Sequence, residues 1–381
     1  MNFDFSDDHK QLQQQARRFL ADRCPPKAVR VVLDGEAPFD RALWGGLGEL
    51  GYLGVAIPEA YGGTGAGYLE LAVLAEELGR VLAPIPMFSS IYLAAEAIML
   101  AGNAQQKRKW LPLIASGEAI GTLAVFEPGA PLTPQALRVS ATAGTISGLK
   151  SPVPHGSVAD FAVVAARNTL SAAGTGISLN IVELNGASVH RTTLPTLDPT
   201  WDQAEIRFDA CPAQPLGQPE DGWRILTSLL DRAAVLLAFE QIGGADKALE
   251  MARDFALDRM AFGRQIGSFQ AIKHVLADMY VATSLARSNC YYGAWALASN
   301  APALAKAAAG ARISATQAYQ HCSRQNIQVH GGMGFTWESD CHLYHRRSAA
   351  SALALGSMAH WEDQLIDAMV LGRSGQMSIE E

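Results

Sequence analysis

Charge and cysteine are both scarce in this chain of 381 residues. Only 18% of the residues are charged, and 37 acidic residues outnumber 30 basic ones. Nucleic-acid binding needs a basic surface that displaces counterions from phosphates, so the composition argues against DNA or RNA as a partner. The five cysteines are an odd number and none lies in a C-x-x-C pair, which gives no support to a disulfide framework or a metal site. We therefore expect no metal and a reducing, cytoplasmic location.

Long uninterrupted apolar segments are also absent. The uncharged, apolar-leaning stretch Val81–Ala95 contains Pro84 and Pro86 and is shorter than the roughly 20 residues that span a bilayer. The amino terminus, MNFDFSDDHKQL, has acidic residues where a signal peptide has basic ones. We expect neither export nor a membrane partner.

Helical periodicity dominates residues 1–118. Ser6 precedes two aspartates and can cap a first helical turn, and apolar residues recur at helix spacing from Leu12 onward. The stretch Leu69–Leu78 repeats this period, whereas the glycines of Ile57–Gly65 indicate a loop. The sequence therefore predicts an N-terminal α-helical domain.

Residues 119–215 have a different sequence pattern, in which short runs of β-forming residues are separated by Gly, Pro, Asn and Ser. This pattern predicts a middle β-domain. The segment Cys211–Gly222, which contains three prolines, is the expected linker to the next domain. The predicted strands are Ile120–Phe126, Phe161–Ala165, Ile177–Leu184 and Ala204–Phe208.

Residues 216–381 return to long helical patterns rich in Ala and Leu. Several of these helices are apolar on more than one face, which is typical of a buried bundle or a subunit interface. The predicted fold is an α+β multidomain chain with an N-terminal helical, a middle β and a C-terminal helical domain.

The first chemical motif is R-M-A-F-G-R-Q-I-G-S-F-Q, residues 259–270. Gly263 and Gly267 allow a sharp turn between two helices, so that Arg259 and Gln270 can converge on a polar ligand. Arginine suits a phosphate because its guanidinium donates several hydrogen bonds from one plane.

The second motif is Q-V-H-G-G-M-G-F-T-W-E, residues 328–338. Gly331 and Gly332 allow backbone amides to approach an anion, and Gln328 is available to donate a hydrogen bond. The simpler alternative is that both motifs are helix-breaking turns beside a solvated arginine.

Together the motifs resemble those of the acyl-CoA dehydrogenase family, in the forms RxxFGxxIxxFQ and QxxGGxGF. The resemblance covers the whole chain and implies a middle β-barrel, a C-terminal four-helix bundle, a tetramer and FAD as cofactor. It also implies that Arg259 contacts the FAD pyrophosphate of the neighbouring subunit. The other cofactor-binding residues that it implies are Phe262, Phe269, Gln270, Gln328, Gly331 and Gly332.

The catalytic base is where this chain departs from the family. In the family a carboxylate removes the α-proton of an acyl-CoA thioester while hydride leaves the β-carbon for the flavin. The resemblance puts that base at position 355 or, in some relatives, at position 233. These positions hold Leu355 and Ala233, and neither side chain can accept a proton.

Two nearby acids are candidates to replace the base. Glu240, seven residues after Ala233, lies on nearly the same helix face but about 10 Å further along the axis. It is the weak candidate, and a paired polar group within the bundle is its alternative interpretation. Asp231 lies about 200° around the helix from Ala233, and we interpret it as structural.

The segments that hold the flavin ring in the family are also altered. The family motif TEPxxGSD reads F-E-P-G-A-P at Phe126–Pro131, without the hydroxyl groups. The strand usually read as Trp-Ile-Thr after a lysine is Lys150–Pro154, where two prolines remove backbone donors. The sequence therefore keeps the residues that the resemblance directs to the flavin of a neighbouring subunit. It lacks the catalytic base, and its own flavin bed, the segments 126–131 and 150–154 that would hold the flavin ring, is altered.

Three functional hypotheses follow. The first is an acyl-CoA dehydrogenase subunit in fatty acid or sterol side-chain catabolism, serving as the base-lacking partner of a related chain in a heterotetramer. The second is a self-sufficient homotetrameric acyl-CoA dehydrogenase that uses Glu240 as its base. The third is a non-catalytic scaffold subunit that keeps only the tetramer contacts.

Overall fold

The computed structural model describes residues 6–168 and 176–377 of the chain. Residues 1–5, which begin the acidic amino terminus, lie outside this range. The first segment is helical, with a 3-10 turn at Glu59–Tyr61 and a buried π-helix at Phe88–Ala95. Its α-helices are α1 (Asp7–Arg23), α2 (Pro26–Leu33), α3 (Arg41–Glu49), α4 (Tyr68–Arg80), α5 (Glu96–Ala101) and α6 (Ala104–Ser116).

Local sequence signals locate the first helices correctly. Ser6 caps α1, since its hydroxyl accepts a hydrogen bond from the backbone N–H of His9 at 3.3 Å. The predicted helix Leu69–Leu78 is confirmed as the central part of α4. Asn103 and Gln106 form a reciprocal capping box at the start of α6.

The β-rich segment forms one sheet in the order β6-β7-β3-β2-β4-β5-β8, with β1 parallel to β4. The prediction of a β-rich segment is confirmed, but the prediction of a closed barrel is wrong. Within the described residues β6 pairs only with β7 and β8 only with β5, so no ladder joins the two ends. The strands are β1 (Gly121–Ala124), β2 (Ser140–Thr142), β3 (Thr145–Pro154), β4 (Phe161–Asn168), β5 (Ile177–Glu183), β6 (Val189–Thr193), β7 (Gln203–Pro212) and β8 (Gln214–Leu216).

The expected linker at Cys211–Gly222 is wrong over its first half. Cys211 is a buried residue of β7, and its thiol contacts the backbone oxygen of Ser188 at 2.9 Å. Strand β8 follows at once and pairs with β5. Its proline is tolerated because a short edge strand has few ladder hydrogen bonds to lose.

The last segment contains the long helices. No helix within 6–168 or 176–377 has the length and apolarity needed to cross a membrane. All five cysteines of the chain are buried free thiols. The elements are α7 (Gly222–Asp258), β9 (Met260–Ala261), β10 (Arg264–Gln265), α8 (Gln270–Ala298), α9 (Leu304–His330), α10 (Cys341–Leu353) and α11 (Met358–Met377).

The chain divides into two compact units. The helical unit contains Met1–Val29, Tyr68–Ala83 and Ala234–Glu381. The sheet unit contains Arg30–Gly67 and Pro84–Ala233. Helix α7 contributes to both units, and the three-part division at residues 118 and 215 remains a prediction.

In the helical unit, α4 and α7 cross at two glycines. A Cβ on Gly79 would lie 2.0 Å from the backbone oxygen of Glu240, and one on Gly243 would lie 1.9 Å from that of Glu76. No larger residue fits at this distance, so the two backbones are in direct contact. The Glu76 carboxylate also accepts a hydrogen bond from Arg287 of α8 at 2.7 Å. The crossing therefore fixes the course of α7 relative to α4 and α8.

Candidate cofactor site and base positions

The first motif forms a β-hairpin, which corrects the expected simple turn between two helices. Strands β9 and β10 pair antiparallel, and Ile266 N–H donates to the Arg259 oxygen at 2.9 Å. Phe262 and Gly263 form the tip with φ of 52° and 78°. Two consecutive positive φ values are typical of the tight turn that joins two-residue hairpins. Arg259 and Gln270 consequently stand at the two ends of a short exposed loop.

Several side chains of this hairpin are exposed, and they include an aromatic ring and arginines. Phe262 is 94% exposed and packs edge to face with the half-buried Phe269, with ring centroids 6.1 Å apart. The Arg264 guanidinium lies 4.1 Å from the centroid of the Phe269 ring. Arg259 is exposed and forms no ion pair with a residue of the described ranges. Its charge is available to an external anion.

The second motif lies at the end of α9. Gly331 ends the helix with φ 59° and ψ −135°, a backbone conformation reserved for glycine. A Cβ on Gly331 or Gly332 would meet nothing within 4 Å, so the backbone here is open to a ligand. Gln328, one turn earlier, is exposed as well.

The structure brings the two motifs together through an aromatic pair that the sequence interpretation did not identify. Phe255, in the last turn of α7, stacks on His330, in the last turn of α9, with centroids 4.1 Å apart. The His330 Nδ1 atom is 2.9 Å from the Asn326 oxygen, which orients the ring. Arg259 follows Phe255 by four residues and Gly331 follows His330 directly. The stack therefore holds both motifs at one end of the helical unit.

The two predicted base positions hold buried apolar side chains. Leu355 is 3% exposed and Ala233 is fully buried. Leu355 has φ 63°, a left-handed conformation that is costly for a residue with a branched side chain. Neither position offers a proton acceptor.

Glu240 lies beside the crossing of α4 and α7 in the helical unit. Its backbone oxygen faces Gly79, and its side chain is half-buried. Asp231 lies in the part of α7 that belongs to the sheet unit and is 8% exposed. Its carboxyl group makes no hydrogen bond or ion pair to a described residue. Burial raises the pKa of Asp231 to about 7.

The segments predicted to form the flavin bed lie in the sheet unit. Pro152 and Pro154 lie within β3, and the register with β7 shifts between Lys150 and Val153. The Ser151–Pro152 peptide bond is cis. The Ser151 N–H donates to the Phe126 oxygen at 3.0 Å, so this backbone donor is already used.

A buried ion pair supports this bed and was missed from the sequence. Lys150 is fully buried and donates to the Glu127 carboxylate at 2.8 Å and to the Val125 oxygen at 3.0 Å. Glu127 also accepts the backbone N–H groups of Arg138 and Val139 at 2.8 and 3.0 Å. Burial lowers the pKa of Lys150 to about 8, although the carboxylate opposes the shift. The only sequence signal was a lone acid and a lone base beside apolar strands.

Comparison with known proteins defines the family. Residues 6–118 match the acyl-CoA dehydrogenase N-terminal domain, and residues 220–368 match the acyl-CoA dehydrogenase C-terminal domain. Acyl-CoA dehydrogenase IpdE2 of Mycobacterium tuberculosis is 33% identical over 352 residues, covering 92% of this chain and 94% of the relative. The chain belongs to the acyl-CoA dehydrogenase family, whose members are FAD-dependent oxidoreductases that act on acyl-CoA.

Two solved structures extend the comparison. A variant of the Tcur3481–Tcur3483 steroid ACAD superposes with a TM-score of 0.86 at 30% identity, covering 97% of this chain and 99% of the other. The ChsE4–ChsE5 complex from Mycobacterium tuberculosis gives a TM-score of 0.88 at 26% identity, with 97% and 99% covered. The order of helical, β and helical segments predicted from the sequence is confirmed by this shared fold.

We predict that Lys150→Met destabilises the chain by about 3–5 kcal/mol, because it leaves the Glu127 carboxylate buried without its cation. The double variant Lys150→Met with Glu127→Gln removes both charges and is expected to be more stable than the single variant. Urea unfolding measures both values. Lys109→Met is the control, since its ion pair with Glu183 is exposed and is expected to contribute less than about 1 kcal/mol. A double variant no more stable than Lys150→Met would contradict this prediction.

We also predict a pH-dependent gain in stability for Asp231→Asn. The folded pKa of about 7 lies above the ordinary value of 3.8, so the folded state binds more protons between these values. The wild-type carboxyl therefore reduces stability as the pH rises from about 4 to 7. Asn is expected to stabilise by up to about 4 kcal/mol above pH 7 and to have little effect near pH 4. Unfolding free energies measured from pH 4 to 8 test this, with the exposed Asp254→Asn as control, and parallel curves for wild type and Asp231→Asn would refute it.

Proposed function

We propose that this chain is the base-lacking subunit of a heteromeric acyl-CoA dehydrogenase, in which it completes the FAD site of a related catalytic chain. One contrast carries the proposal. The polar groups of both motifs are exposed at one end of the helical unit, whereas Leu355 and Ala233 are buried and apolar. The chain offers contacts to a cofactor, and neither expected base position has a group that can remove a proton.

The chemistry of the exposed motifs fits part of FAD. An arginine without an ion pair and an open glycine backbone suit the two phosphates and the adenosine. Arg259 would bind the pyrophosphate, while Gln270 and Gln328 would donate hydrogen bonds to the adenosine side. Phe262 and Phe269 would flank it and exclude water. When bound, FAD supplies the acceptor for hydride.

The chain's own flavin bed fits the isoalloxazine ring poorly. The hydroxyl groups that the family motif has at Phe126 and near Ala130 are absent, and Pro152 has no backbone donor. The Ser151 N–H is already bonded to Phe126. We therefore assign the productive flavin to the bed of the related chain, which would also supply the base.

The relatives support a related chain as partner and a steroid-derived acyl-CoA as substrate. One similar structure is a complex of two differently named chains, ChsE4 and ChsE5, and another is described as a steroid ACAD. Extending both properties to this chain is part of the proposal. The self-sufficient alternative with Glu240 is less favoured, because Glu240 is half-buried and lies about 10 Å along the helix from the expected base position at Ala233.

Arg259→Met is expected to lower the FAD content of the co-expressed complex at least about tenfold, because a charge-assisted contact to the pyrophosphate is lost. The measurement is flavin absorbance against protein concentration, followed by turnover with added FAD. Arg253→Met is the matched control, since Arg253 is an exposed arginine of α7 that pairs with Asp254. Unchanged FAD content and turnover in Arg259→Met would favour the non-catalytic scaffold.

A further inference from the structure

A buried arginine on α9 has no carboxylate partner. Arg312 is 1% exposed and forms no ion pair with a described residue. Its Nη1 atom donates to Gln241 Oε1 and to Thr316 Oγ1, each at 2.6 Å. Burial lowers the pKa of Arg312 to about 9, so the side chain remains a cation at neutral pH. A buried charge of this kind is costly unless nearby dipoles stabilise it.

The stabilising dipoles are at the carboxyl end of α10. Arg312 Nη2 donates to the backbone oxygen of Ala354 at 2.8 Å and also to that of Ser351. Because α10 ends at Leu353, these carbonyls lie at the helix terminus and carry its partial negative charge, and the Ser351 oxygen also accepts the Ala354 N–H at 3.3 Å. Gln241 adds a hydrogen bond from Nε2 to Ser351 Oγ at 3.2 Å. Arg312 thus joins α7 and α9 to the end of α10.

The backbone just beyond this contact is strained. Leu355 has φ 63° and Gly356 has φ 111°. Leucine persists in the left-handed region only where the surroundings impose it. The imposing contacts here are the two carbonyls held by Arg312 and the burial of the Leu355 side chain.

We propose that Arg312 is a positioning residue that fixes the backbone at position 355. The family resemblance puts the catalytic base at this position, and this chain has Leu355 there. The chain therefore keeps the arginine that holds the backbone at this position, although the side chain at position 355 is not a base. The significance of position 355 rests on the proposed function, whereas the contact made by Arg312 does not.

Hydrogen–deuterium exchange of the full-length chain tests this role. Arg312→Met is expected to raise amide exchange in residues 351–357 by about tenfold or more, with α8 and the sheet unit changing less than about twofold. Arg312→Lys is expected to rescue part of the protection, because an ammonium can still donate to both carbonyls. Thr316→Val is the control, since it removes the neutral contacts of Thr316 with Arg312 and Gln241 and leaves the contacts of Arg312 to α10 intact.

Uniform exchange across the helical unit in Arg312→Met would overturn the proposal, as would wild-type exchange at 351–357. Equal exchange in the Lys and Met variants would overturn it too, because a specific donor would then be irrelevant. If Arg312→Met does not fold, a local increase in Arg312→Lys that is absent in Thr316→Val supports the proposal, and equal profiles refute it. Flavin content is measured separately, so a failure of the proposed function leaves this result intact.

Discussion

The direct contact between the backbones of α4 and α7 is the constraint on which the helical unit depends. Gly79 and Gly243 leave no room for a side chain at the crossing, and Glu76 is ion-paired with Arg287 next to it. This contact sets the path of the long helix whose last turn stacks on the end of α9. The exposed hairpin with Arg259 and the open glycines after α9 are neighbours because of that path.

The exposed polar groups of the two motifs and the apolar residues at the expected base positions indicate different chemical roles for two parts of the chain. Polar groups stand exposed at the ends of helices, where an anion can be bound without burying an unpaired charge. The two expected base positions, by contrast, hold buried apolar side chains, while two buried cations hold the local backbone and side chains in place. Lys150 and Glu127 support strand β3, and Arg312 supports the end of α10. The proposed role as a cofactor-completing subunit accounts for this distribution.

Local features could be predicted from the sequence, and features that depend on distant pairing could not. Ser6 as a cap and both glycine motifs were recognised because their signals lie within a few residues. The open sheet was missed because closure depends on whether β6 and β8 meet, which no local pattern encodes. The β9–β10 hairpin was missed because two-residue strands are too short to show a period. The pairing of Lys150 with Glu127 and the contacts of Arg312 with Gln241, Ser351 and Ala354 join residues that are 23 or more positions apart.

The cofactor-completing role is tested most directly by the FAD content of the purified chain, measured by absorbance for the chain alone and after co-expression with a related dehydrogenase chain. The chain alone is expected to retain little flavin and not to oxidise acyl-CoA, whereas the complex is expected to contain one FAD per two chains. One FAD per chain in the isolated protein, together with oxidation of an acyl-CoA, would rule out this role.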